Sequence, residues 1–293
     1  LARDWQIGLA QVGIALGTCL ITQLVMTVGL RVWQAGPGAR NTIPTLTTPL
    51  PTVSIRTAPT APDLNWRDWF ATFNWRSPLI TGLSLSLLLR VGHAPTMVLA
   101  AVAAIASKFL IKHHDKHLFN PANFGIIAAF TLTQDAWVSP GQWGEELWYV
   151  VLFIGAGGLV LKRVGRWDTT LTFLGSYALL EAGRNLWLGW TWDVWLHRMM
   201  SGSLLLFALF MITDPRSIPN ARLGRIVWAL AIAAITFGLR NQFYLSSAMF
   251  WALFGISALT PLVDQLYPAA RFTWSTLRSR SWEPALPTAR DRA

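Results

Sequence analysis

Apolar residues are gathered along this chain in runs of near membrane-crossing length, separated by short charged or Pro-rich stretches. A spanning helix needs roughly 20 mostly apolar residues, and fewer where a charged end snorkels or the helix is broken inside a bundle. On that measure about nine segments are predicted: Gln6–Leu30, Pro78–Leu89, Val91–Ser107, Phe119–Gln134, Leu147–Leu161, Thr169–Trp190, Met199–Thr213, Ile226–Leu239 and Asn241–Val263. Gln6–Leu30 is uncharged and too long for a signal-peptide core, so it reads as a spanning helix. Ala35–Asn65 carries Pro44, Pro49, Pro51, Pro59 and Pro62 with no apolar period and reads as an extended loop, a linker or a docking surface. The expected organisation is a first helix over 1–34, an extramembrane loop over 35–76, a membrane bundle over 77–267 and an Arg-rich tail over 268–293.

Composition narrows the class. Of 293 residues 53% are hydrophobic and only 13% charged, which excludes an ordinary soluble fold. The 17 Trp suit two membrane–water interfaces, since an indole is apolar in body and polar at one edge. A net charge of +10 invites a nucleic-acid reading, but the Lys and Arg lie in small groups between apolar runs, so topology explains them better and no nucleic-acid partner is expected. Cys19 is the lone cysteine, which excludes an internal disulfide and a cluster held by this chain's thiolates.

Short cytoplasmic loops carry excess Lys and Arg. Lys108, Lys112 and Lys116, then Lys162, Arg163 and Arg166, then Arg216, Arg222 and Arg225, and finally the tail fall on one side in a single frame. The intervening loops hold Asp135, Glu145, Glu146 and Asp193 with Trp187, Trp190, Trp192 and Trp195. The C-terminus is therefore expected in the cytoplasm of a bacterial inner membrane. The N-terminus lies outside if Pro78–Leu89 and Val91–Ser107 are two helices split at Arg90, Gly92 and Pro95, and inside if they form one re-entrant unit.

Two constellations carry candidate chemistry. In Lys116-His117-Leu118-Phe119-Asn120-Pro121-Ala122-Asn123-Phe124-Gly125, Asn-Pro opens an apolar run; the two amides either cap the helix or bind a polar ligand. In Phe210-Met211-Ile212-Thr213-Asp214-Pro215-Arg216, a carboxylate stands beside a broken helix end; it is either a helix stop with a local charge pair to Arg216 or a group that orients a ligand. These strings resemble the family containing the B subunit of the sodium-translocating quinone reductase and the D and E subunits of Rnf. That family's Gly-Lys-x-x-Phe-Asn-Pro-Ala is reproduced by Lys116 to Ala122, with Asp115 where the Gly stands. Its Phe-Phe-Met-Ala-Thr-Asp-Pro is matched by Leu209 to Pro215, and its Asn-Ala-x-x-Pro-Leu-Ile-Asp by Ala258 to Asp264.

The resemblance, spanning roughly Arg76 to Asp264, implies an all-α polytopic bundle with two inverted-repeat halves, working among other membrane or redox subunits. Family members attach FMN covalently to a Thr in a Ser/Thr-Gly-Ala-Thr string. The corresponding loop here, Asp135 to Glu146, lacks it, so no covalent FMN is expected and the cofactor would be a non-covalent flavin (FMN or riboflavin) or a quinone. The Val138-Ser139-Pro140-Gly141-Gln142-Trp143-Gly144 stretch also resembles, more weakly, the branch found beside enediyne biosynthesis genes.

Glu181 and Arg184 lie three apart in an apolar helix and share a face, which predicts an intramembrane charge pair, either functional or locking two helices. Arg90, His197, Arg198 and Arg240 lie nearer segment ends, where snorkelling is expected. His113 and His117 would share a ligand face on a helix, but flanking lysines repel a cation, and no metal is expected. No nucleophile–base pair, P-loop or dinucleotide fingerprint is present, so catalysis by this chain alone is unsupported. The leading expectation is a membrane electron-transfer subunit in which Asn120, Pro121, Asn123, Thr213 and Asp214 position a flavin- or quinone-like ligand. The alternative is a channel or transporter for a small polar solute or cation on the same fold.

Overall fold

The computed structural model describes residues 8–34, 73–113, 116–139 and 148–272. The Pro/Thr-rich loop, His114, Asp115, residues 140–146 of the loop expected to lack covalent FMN and nearly all of the tail lie outside the described residues. The described chain is mostly helical: α1 (Leu9–Gln34), α2 (Arg76–Leu88), α3 (Ala94–Leu110), α4 (Pro121–Leu132), α5 (Trp148–Val164), α6 (Trp167–Trp187), α7 (Trp192–Met199), α8 (Gly202–Leu206) running into a π-helical turn (Phe207–Met211), α9 (Arg222–Gln242), α10 (Ala248–Ala258) and α11 (Thr260–Leu266). Four short strands interrupt them: β1 (Leu89–Val91), β2 (Lys112–His113), β3 (Lys116–His117) and β4 (Ala136–Val138).

Length and composition make α1, over Leu9–Leu30, and α9 each able to cross a membrane alone. Two bent pairs add up to two more crossings: α7 with Gly202–Met211, bent by 49°, and α10 with α11, bent by 51°. The remaining apolar runs fall short of that standard among the described residues. Leu83, Val98, Val102, Leu132, Leu171 and Leu179 face outward on the helices, an arrangement that lipid satisfies and water does not.

The split expected at Arg90 is real and has a defined form. α2 ends where Leu89 turns extended, and β1 pairs antiparallel with β4, Leu89 opposite Val138 and Val91 opposite Ala136. The Arg90 side chain does not snorkel. It is buried and folds back to donate to the carbonyls of Ser86 at 2.6 Å, Leu87 at 3.3 Å and Leu89 at 2.8 Å, completing the orphan end of α2. Asp135 closes the facing end: it accepts from the His93 N–H at 2.9 Å and from Thr96 Oγ1 at 2.6 Å, capping α3. Hydrogen bonds from Thr96 and His93 hold its carboxyl at about 2, below the usual carboxylate range. α3 then returns along α2, with Lys108 Nζ donating to Ser77 Oγ at 3.0 Å, so the two form a helical hairpin.

Polar bonds also fix the second half. Asp168 meets Arg225 near the start of both α6 and α9, and Glu181 meets Asn241 near their ends. The two helices therefore run parallel, which requires the chain between them to return over the same depth. The bent α7–α8 unit does so: Trp195 Nε1 donates to the Ala178 carbonyl at 3.0 Å and Thr170 Oγ1 to the Ala208 carbonyl at 2.6 Å, an antiparallel pairing with α6. α7 is not among the expected segments, because its Trp and charged residues read as an interfacial loop. Asn241–Val263, expected as one helix, is broken twice instead: Asn241 and Gln242 end α9, α10 begins only at Ala248, and the chain breaks again at Leu259.

Packing is tightest at Gly125 of α4, where an added Cβ would collide with the Ala100 carbonyl of α3. Gly125→Ala is expected to cost about 1–3 kcal/mol, the usual penalty of overpacking, and to lower the yield of monodisperse protein in detergent. Gly155→Ala, which meets nothing within 4 Å among the described contacts, serves as the neutral control.

Candidate functional site: the convergence of broken helix ends

Pro121 opens α4 with no N–H to satisfy. The preceding Asn120 does the rest with both ends of its amide. Its Oδ1 accepts from the Asn123 N–H at 3.1 Å, the expected cap, and its Nδ2 donates to the Met211 carbonyl at 3.2 Å, where the π-helical turn stops. One side chain thus completes two helix ends. Asn123 is fully buried and donates Nδ2 to the Phe250 carbonyl of α10 at 3.2 Å; its Oδ1 is buried with no hydrogen-bond partner.

The second constellation organises its own turn. Thr213 Oγ1 donates to the Leu209 carbonyl at 2.9 Å, and Asp214 accepts from the Arg216 N–H at 3.1 Å and from Ser217 Oγ at 3.3 Å. The expected charge pair between Asp214 and the Arg216 guanidinium is replaced by that backbone bond. The third string closes the ring. Asp264 accepts from Lys116 Nζ at 2.7 Å and from the Asn220 N–H at 2.7 Å, and Thr260 Oγ1 reaches the Ser217 carbonyl at 3.4 Å. Burial lowers the pKa of Lys116, while its hydrogen bond to Asp264 opposes the shift. The three strings, far apart in sequence, are one bonded unit.

The polar atoms of Asn120, Thr213 and Asp214 are thereby engaged within the protein, and Asn123 Oδ1 is left as an acceptor. Around the start of α4 and on α10, Phe119 stacks on Phe254 at 4.6 Å between centroids and lies 5.6 Å from Phe124, all three rings being half-buried. A buried acceptor without a partner is complemented by an N–H or O–H donor.

Glu181 is paired, but not with Arg184. Its buried carboxylate accepts from Arg198 Nη1 of α7 at 2.8 Å, from Tyr177 Oη at 2.9 Å and from Asn241 Nδ2 of α9 at 2.9 Å, so it locks three helices. Arg198 therefore does not snorkel. Arg184 instead lies over the Trp190 ring, its Cζ 4.7 Å from the centroid. At the opposite end Asp168 accepts from Arg225 Nε at 3.0 Å and Nη2 at 2.6 Å, with both side chains buried. Sequence reasoning alone misses Arg198, Asn241, Tyr177, Asp168 and Arg225 as site residues. The available signal is their position as isolated polar residues at the rims of apolar runs. His113 and His117 are on opposite strands of a hairpin, not on a helix. Among the described residues no group of three or more His, Cys, Asp or Glu is placed to hold a metal.

Residues 130–273 match the NQR2, RnfD, RnfE family, a stretch that includes the second and third strings and begins just after the first. The chain is 32% identical over 128 residues to the D component of the ion-translocating oxidoreductase complex of Stutzerimonas stutzeri, covering 44% of this chain and 36% of that protein. It is 24% identical over 248 residues to the D component of the proton-translocating ferredoxin:NAD(+) oxidoreductase complex of Clostridium ljungdahlii, covering 67% of this chain and 74% of that protein. The D component of the ion-translocating oxidoreductase complex of Halorhodospira halophila is 30% identical over 127 residues, covering 43% of this chain and 35% of that protein. The chain thus spans about a third of the length of the first and third of these relatives and about three quarters of the second.

If the Lys116–Asp264 pair joins the first and third strings, Lys116→Met and Asp264→Ala should couple by about 1–3 kcal/mol in a double-mutant cycle of thermal stability in detergent. Additive losses would mean that the pair does not hold the strings together.

Proposed function

Since residues 130–273 make this chain a member of the NQR2, RnfD, RnfE family, we propose that it is a membrane subunit of an ion-translocating oxidoreductase complex and binds a flavin- or quinone-like ligand non-covalently. The observation that carries the ligand reading is Asn123 Oδ1, a fully buried acceptor without a partner at the point where three helix ends meet. A buried acceptor left unpaired costs about 1–3 kcal/mol, which a ligand donor removes.

In this reading Asn123 accepts the ligand's N–H or O–H, Asn120 and Pro121 fix the end of α4 that presents it, and Thr213 with Asp214 holds the facing wall. A flavin or quinone bound there supplies reversible electron transfer. The chain's part is to hold the ligand, exclude water from it with Phe119, Phe124 and Phe254, and keep the surrounding backbone rigid. Electrons arrive from another subunit, because no nucleotide-binding fingerprint is present in the sequence. Other membrane and redox subunits are accordingly its partners within the bilayer.

The orientation belongs to the same proposal. Lys116, Arg225 and the α10–α11 end gather on one side of the bundle, as a cytoplasmic face of a bacterial inner membrane requires. The C-terminus then lies in the cytoplasm. The nine crossings and the inverted-repeat halves likewise stand as proposals, beyond the two to four crossings that helix length and composition give among the described residues.

Acid precipitation of the detergent-purified protein, followed by absorption and fluorescence of the supernatant and quinone extraction, tests the ligand. Released flavin or quinone is expected, and Asn123→Leu should reduce it at least severalfold at equal membrane abundance. Flavin retained in the pellet would overturn the non-covalent reading. A preparation with neither ligand would overturn the redox assignment, and solute flux through it in vesicles would establish the channel alternative.

A further inference from the structure

The opposite end of the bundle, around the α6–α7 corner, holds cationic groups that the redox reading does not use. Gly189, Trp190, Thr191, Val194 and Arg198 line an open cleft of about 490 Å³. Two guanidiniums lie over the one indole: Arg184 Cζ at 4.7 Å and Arg198 Cζ at 5.5 Å from the Trp190 ring centroid. Asn185 Nδ2 fixes that indole's position by donating to the Trp190 carbonyl at 3.1 Å and the Thr191 carbonyl at 3.2 Å.

The charges of the corner do not balance. Its segments carry Arg184, Arg198 and Arg240 against Glu181 and Asp193, an excess of one positive charge with His197 neutral. Glu181 is committed to Arg198, Tyr177 and Asn241, and Arg240 to Tyr177 Oη. Arg184 Nη1 is buried with no hydrogen-bond partner. A buried guanidinium N–H without an acceptor is costly, and an anionic oxygen is its natural complement.

The surface beside the cleft identifies the kind of anion. Leu186 is 65% exposed, Trp187 88%, Trp192 56% and Leu196 50%. A small inorganic anion would satisfy the guanidiniums and leave this apolar surface bare. A phospholipid satisfies both, its phosphate on the arginines and its acyl chains on the leucines and indoles.

We propose that this cleft binds the phosphate group of an anionic phospholipid, with Arg198 in its lining and Arg184 behind it, both guanidiniums resting on the Trp190 ring that lines the cleft. Arg198 also holds Glu181, so its removal would disturb the fold; the Arg184 side chain makes no hydrogen bond among the described residues and is the cleaner probe.

The test uses the delipidated full chain in a neutral detergent, titrated separately with short-chain phosphatidylglycerol, short-chain phosphatidylcholine and inorganic phosphate. Native mass spectrometry counts bound lipid, and tryptophan fluorescence follows occupancy. Saturable phosphatidylglycerol binding, at least tenfold tighter than phosphatidylcholine, is expected. Arg184→Gln should weaken it about fivefold or more while leaving the lipid-free melting temperature within a few degrees, and Arg184→Lys should recover part of the affinity. Equal binding of the two lipids, or an Arg184→Gln variant that binds as the parent does, would overturn the proposal. Inorganic phosphate binding as tightly as phosphatidylglycerol would overturn it in favour of a free-anion site.

Discussion

A helix that stops inside an apolar bundle leaves backbone groups that no water can take, and in this chain the interrupted ends are completed by side chains, some local and some from distant segments. Asn120 is the centre of that solution. By capping α4 with Oδ1 and donating Nδ2 to the end of the π-helical turn, it makes the start of one helix depend on the end of another about ninety residues away. Arg90 performs the equivalent task for α2, and Asp135 for α3. Each break would be untenable alone. Together they give a bundle whose interruptions are rigid, which is what a site built from broken helices needs.

The parallel α6–α9 pair is the frame that keeps those ends in register. Asp168–Arg225 and Glu181–Asn241 tie it at two levels that, at 1.5 Å per residue, lie about 20 Å apart along α6. Both carboxylates are buried; the Asp168–Arg225 ion pair is tolerated while paired and costs about 3–5 kcal/mol with one partner removed, whereas Glu181 also has Arg198 as its counter-charge. Ties of that kind add less to net stability than to selection of one arrangement. A parallel pair with a returning bent helix between them has other apolar packings available, and in those packings the charges would be unpaired.

What the sequence disclosed follows from what repeats locally. Apolar run length located nearly every helix, and the Asn-Pro and Thr-Asp-Pro strings located two of the breaks. Three features were beyond it. The β1–β4 ladder joins residues whose extended conformation depends on each other and has no period of its own over three residues. α7 places Trp192, Trp195 and Met199 among Asp193, His197 and Arg198, a pattern that interface and helix share. The partner of Glu181 differs from the expected one because a three-residue spacing on a helix permits a pair but does not require one. Arg198 reaches the carboxylate with help from Asn241, whereas Arg184 finds the Trp190 face, and only tertiary geometry distinguishes these. Asn120 and Asn123 were legible as candidates, but not the division of labour between them.

That division decides where chemistry can enter. At the motif end, Lys116, Asp264, Asn220, Thr213 and Asp214 find partners nearby, and the buried polar atoms left without one include Asn123 Oδ1, His117 Nδ1 and Ser257 Oγ. In the proposed reading the ligand that reaches Asn123 Oδ1 is largely apolar and offers it one donor. At the far corner the arrangement is reversed, with an open cleft and a guanidinium N–H that lacks an acceptor. The two proposals accordingly put different molecules at the two ends, one flat and largely apolar, the other anionic and interfacial. Glu181 and Asp168 sit on one helix, so the corner and the motif end share one frame.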